Sequence, residues 1–294
     1  KESGSTHDII RRKYLKRLNK ITGRNVIVYY SGWLQKKFKE LQGDIGINDN
    51  DKNGFMTAIH KIDSSKGLDL ILHTPGGEVA ATESIIDYLT KKFKDIRVIV
   101  PQLAMSGGTM IACSANKIVM GKQSSLGPID PQFNGIPAHG ILEEFEQAHQ
   151  EIKKDNSKVL VWQPIIAKYD PTLIGECQKA VAWSEQIAKK ALSERMLKGK
   201  RNKDEIIAKI IAELTSHAIT LSHARHLSAE KCIELGLVIE KLEDDQRFQD
   251  AVLTVHHAFM HTLTATPAFK IIENHLGTAY IQTMQSLIVQ APGN

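Results

Sequence analysis

Two glycine turns carry the residue types that acyl transfer needs. In "VIVPQLAMSGGTMIACSA" (98–115), Ser106 ends an apolar run and is followed by Gly107, Gly108 and small helix-forming residues. A serine at a strand-to-helix turn holds its oxygen outward as a nucleophile. The next N–H points out of the helix start, where the partial positive charge favours a developing anion. Upstream, "LDLILHTPGGEVAATESIIDYL" sets Pro75, Gly76 and Gly77 between an apolar and an amphipathic run. That turn supplies a second unpaired N–H with no side chain in the way. Two N–H groups aimed at one point make an oxyanion hole for a tetrahedral intermediate. Two other readings fit the same turns. An acyl-CoA enzyme would use the donors without the hydroxyl. In a catalytically silent oligomeric scaffold, Ser106 would only cap its helix.

The elements around the turns are those of an α/β protein. "NVIVYYS" (25–31), "LDLILHT" (68–74), "IRVIVPQ" (96–102) and "KIVMG" (117–121) read as buried strands. Helices are expected from about Glu78 to Phe93, where Ile85, Ile86, Leu89 and Phe93 repeat at helical spacing, and from about Gly107 to Asn116. Short apolar strands alternating with helices argue for parallel pairing. "GDIGINDNDKNGF" reads as a polar loop with Asx-turn chemistry. It holds half of an EF-hand pattern, but His60 stands where a bidentate Glu is needed. "SSLGPIDPQFNGIPAHG" (124–140) is a loop, 141–154 a helix, and "VLVWQPII" an extended piece. Helices follow at about 172–198 and 204–216, then a short strand-like "AITL". In "SHARHLSAEKCIELGLVIEKL" a helix should start at Ser228 as N-cap and stop at Gly236, before a last strand. His257 and His261, at i and i+4 in "HHAFMH", read as helix-face residues because no HExxH pattern surrounds them. The expected division is a basic N-terminal segment (1–22, its first eight residues a tail), a domain over 23–245, and a helical extension over 246–294 suited to oligomerisation.

"HTPGG", "AMSGGT" and "SSLGPIDPQ" together resemble the Clp-fold serine peptidases, relatives of the Clp protease proteolytic subunit and signal peptide peptidase A. The resemblance is strongest to the serine dehydrogenase proteinase family. It extends through "GRNVIVYYSGWL", "NDNDKNGFM", "WQPIIAKYDP" and "LSAEKCIELGLVIE", which is most of the chain. It implies a Clp/crotonase-like spiral of ββα units with additional C-terminal helices and Ser106 as nucleophile. It also implies an oxyanion hole at Gly77 and Gly107, and a triad in the order Ser, Asp, His. Asp130 in "GPIDPQ" matches the carboxylate, although an aspartate before proline is also a common turn residue. His223 in "SHARHLS" matches the histidine, with His226 three residues on as an alternative. His73 ends the strand that enters the oxyanion turn, and alternation puts it on one face with Ile71 and Asp69. Signal peptide peptidases use a Ser–Lys dyad instead, for which Lys158 and Lys168 are the candidates if burial strips their water. The implied partners are a peptide or unfolded protein substrate and further copies of the chain. An ATPase partner is left open, and the chemistry requires no cofactor and no metal.

The 294 residues carry a net charge of +5, with basic clusters "RRKYLKRLNK" and "RMLKGKRNK". No zinc-finger spacing or aromatic-plus-basic stripe accompanies them, so they read as solvated helix faces rather than a nucleic-acid site. Three widely spaced cysteines (Cys113, Cys177, Cys232) fit reduced thiols and a cytoplasmic setting. No apolar run reaches membrane-spanning length.

Overall fold

A computed structural model describes residues 4–36, 45–133, 135–215 and 225–284. The chain begins with helix α1 (Thr6–Thr22), where Ser5 and Asp8 form a reciprocal capping box, so the start is helical rather than a tail. Strand β1 (Asn25–Ser31) follows, then α2 (Asp49–Ile59), β2 (Leu68–His73), α3 (Val79–Lys92), β3 (Ile96–Val100) and the short β4 (Leu103–Ala104). Next come α4 (Gly107–Cys113), β5 (Lys117–Met120), β6 (Ser125–Leu126) and a small hairpin of β7 (Gln132–Phe133) and β8 (Ile136–Pro137). Helices α5 (Ala138–Lys154), α6 (Val159–Ile166), α7 (Leu173–Ala191) and α8 (Lys203–Thr215) come next. The chain closes with β9 (Leu227–Ser228), α9 (Ala229–Leu235), β10 (Ile239–Lys241), α10 (Gln246–Ala265), β11 (Ala268–Asn274) and β12 (Ala279–Thr283).

Seven strands form the main sheet in the order β10-β5-β3-β2-β1-β11-β12. The five from β10 to β1 are parallel, while β11 joins β1, and β12 joins β11, antiparallel. Because neighbouring residues of a strand face opposite sides, β2 sends Leu70 and Leu72 into one core layer and Ile71 into the other. The first layer is packed with residues of α2, α3, α4, α7, α8 and α9, the second with residues of α1 and α10. Burial on both faces explains why these strands read as continuous apolar runs.

A second sheet, β4-β6-β9, gives the fold its two-tier repeat. After β3 and again after β5, the chain leaves the main sheet for a short strand of the small one, the ββ step of the expected ββα unit. Three further expectations need correction. The 49–59 segment is a helix, because Asn48 and Asp51 form a second capping box. "VLVWQPII" is helix α6, and the run from 246 is helical only to Ala265, after which the chain forms β11 and β12. The caps at Ser228 and Gly236 are as expected, whereas "AITL" lies outside the described residues.

Candidate active site

The C-terminal ends of the parallel strands β1, β2 and β3 lead into the segments that build the site, the usual place for function in such sheets. Beyond β2, Thr74 forms a parallel bridge with Ala104 of β4. The Thr74 N–H donates to Leu103 O (3.2 Å) and the Met105 N–H donates to Thr74 O (3.0 Å). These bonds tie the Pro75–Gly77 turn to the Met105–Gly108 turn. The approach is close: a Cβ on Gly76 would stand 2.5 Å from Ser106 Cβ and 2.9 Å from Gly107 N. Gly76 has φ +94°, a conformation that glycine adopts without strain.

Ser106 itself has φ 49° and ψ −115°, unusual for a residue with a side chain. It occupies the N-cap position of α4, yet its hydroxyl makes no capping bond. The cap reading therefore fails on geometry. The strained backbone instead turns the side chain into a cavity of about 710 Å³. Gly76, Gly77, Met110, Asp130, Phe133 and Trp183 also line that cavity.

Neither Gly77 N–H nor Gly107 N–H donates a hydrogen bond among the described residues. Gly107 is the first helical residue of α4, whose N–H has no partner within the helix. Gly77 bridges Ile47, which uses the neighbours on either side: Ile47 N–H donates to Gly76 O (2.7 Å), and Glu78 N–H donates to Ile47 O (2.8 Å). In a parallel bridge of this kind the Gly77 N–H faces the opposite way. No side chain fits at either glycine. A Cβ would lie 2.2 Å from Ile47 N at Gly77, and 2.6 Å from Thr82 Oγ1 at Gly107.

Asp130 reaches the cavity from the loop after β6 and is buried. Thr109 pins that loop to the serine's helix: its Oγ1 accepts from Gly127 N–H (3.0 Å), and its one proton is shared between Ala104 O and Gly127 O. The structure thus brings Ser106, Gly77, Gly107 and Asp130 to one place. His223 lies outside the described residues. The other candidates for a base do not line the cavity. His226, Lys158 and Lys168 are exposed, so nothing strips water from either lysine. His73 is fully buried in the opposite layer of the sheet, against Tyr30, Trp33 and His256. Burial and then the neighbouring His256 push its pKa down to about 3.

Motif reasoning missed several cavity residues. Trp33, just after β1, and Lys36, whose Nζ donates to Thr266 O at 2.8 Å, both line it, as do Phe133 and Trp183. The signal for Trp33 was its place beyond a parallel strand, beside the turns after β2 and β3.

The family model described as "ClpP-like SDH-type serine proteinase" matches residues 6–249. Two uncharacterized proteins of Methanocaldococcus jannaschii are similar. MJ0137 is 32% identical over 65% of this chain and 59% of its own length, and MJ1495 is 31% identical over 64% and 57%. The chain therefore spans less than two thirds of those relatives. A third protein of that organism, MJ0651, bears a protease name and is 35% identical over 29% of this chain and 28% of its own length. Among solved structures, a variant of the 1510-N membrane-bound stomatin-specific protease is 18% identical, with a TM-score of 0.38 over 66% of this chain and 75% of that one. Among the described residues no helix is long and apolar enough to cross a membrane.

Proposed function

We propose, for a chain that belongs to the ClpP-like SDH-type serine proteinase family, that it hydrolyses peptide bonds through an acyl-enzyme on Ser106. The observation that carries this is the conformation of Ser106, a strained N-cap residue whose hydroxyl caps nothing and faces a cavity. Backbone strain of about 1–3 kcal/mol persists where surrounding structure enforces it, typically at functional sites. A scaffold serine has no use for it, and an acyl-CoA enzyme has no need of the hydroxyl.

In this reading Ser106 Oγ attacks the substrate carbonyl while its proton passes to an imidazole, for which His223 is the candidate. The carbonyl oxygen becomes an oxyanion and accepts from Gly77 N–H and Gly107 N–H. Collapse breaks the C–N bond, and the leaving amine takes the proton. Water then enters by the same route in reverse and releases the acid. Asp130 would orient the imidazole. The substrates would be peptides or unfolded segments.

A serine-directed fluorophosphonate tests the proposal. Stoichiometric labelling of Ser106, lost in Ser106→Ala, is the expected result. A folded wild-type protein that takes up no label at Ser106 would overturn it.

A further inference from the structure

We propose that Lys270 and Asp51 are positioning residues for the oxyanion turn, a buried ion pair that fixes the direction of the Gly77 N–H through two hydrogen-bonded chains of peptide groups. This rests on the hydrolytic reading above.

The pair lies behind the site rather than in it. Lys270, on β11, and Asp51, in the first turn of α2, have fully buried side chains with Nζ 2.9 Å from Oδ1. Asp51 Oδ2 also accepts from Tyr29 OH at 2.8 Å. Neither residue lines the cavity, and Lys270 lies beyond the stretch matched by the family model. Burying two charges is costly, and an apolar pair of similar size often serves stability as well. The placement of the pair therefore needs a reason beyond stability, and its remaining contacts supply one.

In a planar trans peptide the C=O and the N–H point in opposite directions, so fixing one fixes the other. Lys270 Nζ donates to Gly46 O at 2.8 Å. Across that peptide, Ile47 N–H donates to Gly76 O at 2.7 Å. Across the next, Gly77 N–H is left directed away from Ile47, on the side of the serine turn. The second chain runs beside the first. Asp51 Oδ2 accepts from Asn48 N–H at 3.0 Å, and across that peptide Ile47 O accepts from Glu78 N–H at 2.8 Å. The ammonium therefore holds the peptide on one side of Gly77 and the carboxylate holds the peptide on the other. The ammonium at the head of the first chain also polarises each of its links and strengthens the last donor, the Gly77 N–H. Ser31 steadies the same segment, its Oγ donating to Ile45 O at 2.6 Å.

The test uses the neutral double variant Lys270→Met with Asp51→Asn, which leaves no buried charge unpaired. Active sites are titrated to endpoint with fluorophosphonate, and kcat is expressed per titrated site on a peptide substrate. We expect kcat to fall on the order of 10- to 100-fold with KM within about twofold, since an oxyanion donor acts in the transition state. Affinity for a peptide boronate, which forms a tetrahedral adduct, should weaken by the same factor. A purely structural role would lower the titrated fraction and leave kcat per site unchanged, and that result overturns the proposal. If the double variant does not fold, Ser31→Ala decides: kcat per site about fivefold lower is expected, and an unchanged value overturns it. Wild-type protein that takes up no label at Ser106 would instead refute the hydrolytic reading itself.

Discussion

Gly76 lies so close to Ser106 that a single methyl group cannot be placed between them: its Cβ would stand 2.5 Å from the serine Cβ and 2.8 Å from Met105 O. Backbone atoms supply most of the obstruction, so no side-chain rotation relieves it. Gly76→Ala should therefore force the two turns apart. The expected outcome is loss of activity on the order of 100-fold and destabilisation of about 1–3 kcal/mol. Peptide hydrolysis and thermal unfolding check the two halves separately.

Ser106 pays for its conformation, and the strain should be recoverable. Ser106→Gly removes the Cβ responsible for it and should raise stability by about 1 kcal/mol, or roughly 2–4 °C in Tm. Ser106→Ala keeps the Cβ and should leave Tm nearly unchanged. Both abolish labelling by fluorophosphonate. Equal Tm values for the glycine and alanine variants would contradict the assignment of strain.

His73 and His256 make the fold sensitive to acid. Burial pushes their pKa values down to about 3 and about 4. Among the described residues neither ring nitrogen of His73 has a hydrogen-bond partner, while His256 Nδ1 lies 3.0 Å from Tyr30 OH. The unfolded chain takes up these protons below about pH 6.5 and the folded chain does not. Stability is thus intact above that pH and falls as pH drops from there toward 3–4, by up to about 1.4 kcal/mol per pH unit for each histidine. His73→Phe should flatten this acid limb by one such slope. Denaturant titrations at pH 7, 6, 5 and 4 measure it.

All three cysteines are buried and free, and burial pushes the Cys113 and Cys232 thiols up to about 12. Since the thiolate is the reactive form, native protein at pH 8 should resist iodoacetamide. Denatured protein should take up three equivalents, counted by intact mass. Rapid labelling of the native state would show that the core opens.

The parts legible in the sequence were those with local causes. Strands 25–31, 68–73 and 117–120 are apolar because they are covered on both faces. The helix at 229–235 announces itself by Ser228 and Gly236. The two glycine turns were legible as turns because glycines follow the ends of apolar strands, and the structure sets them side by side. What failed depended on distant partners. Lys270 and Glu273, on opposite faces of β11, interrupt its apolar run, yet both are buried, paired with Asp51 and with Arg11. "VLVWQPII" is too short for periodicity to separate strand from helix. It forms α6 beside α5, with Leu160 80% exposed. The cavity residues Trp33, Phe133 and Trp183 come from three separate regions and share no motif.

The antiparallel strand β11 has a consequence for how the chain is made. It sits beside β1, and Arg11 Nε holds Glu273 Oε2 across a sequence separation of 262 residues. On a ribosome, β1 emerges well ahead of β11 and waits with one flank unpaired until that neighbour arrives. Nascent chains carry that open flank for tens of seconds at ordinary elongation rates of roughly 5–20 residues per second. Such an unprotected edge invites pairing with other nascent strands until β11 covers it.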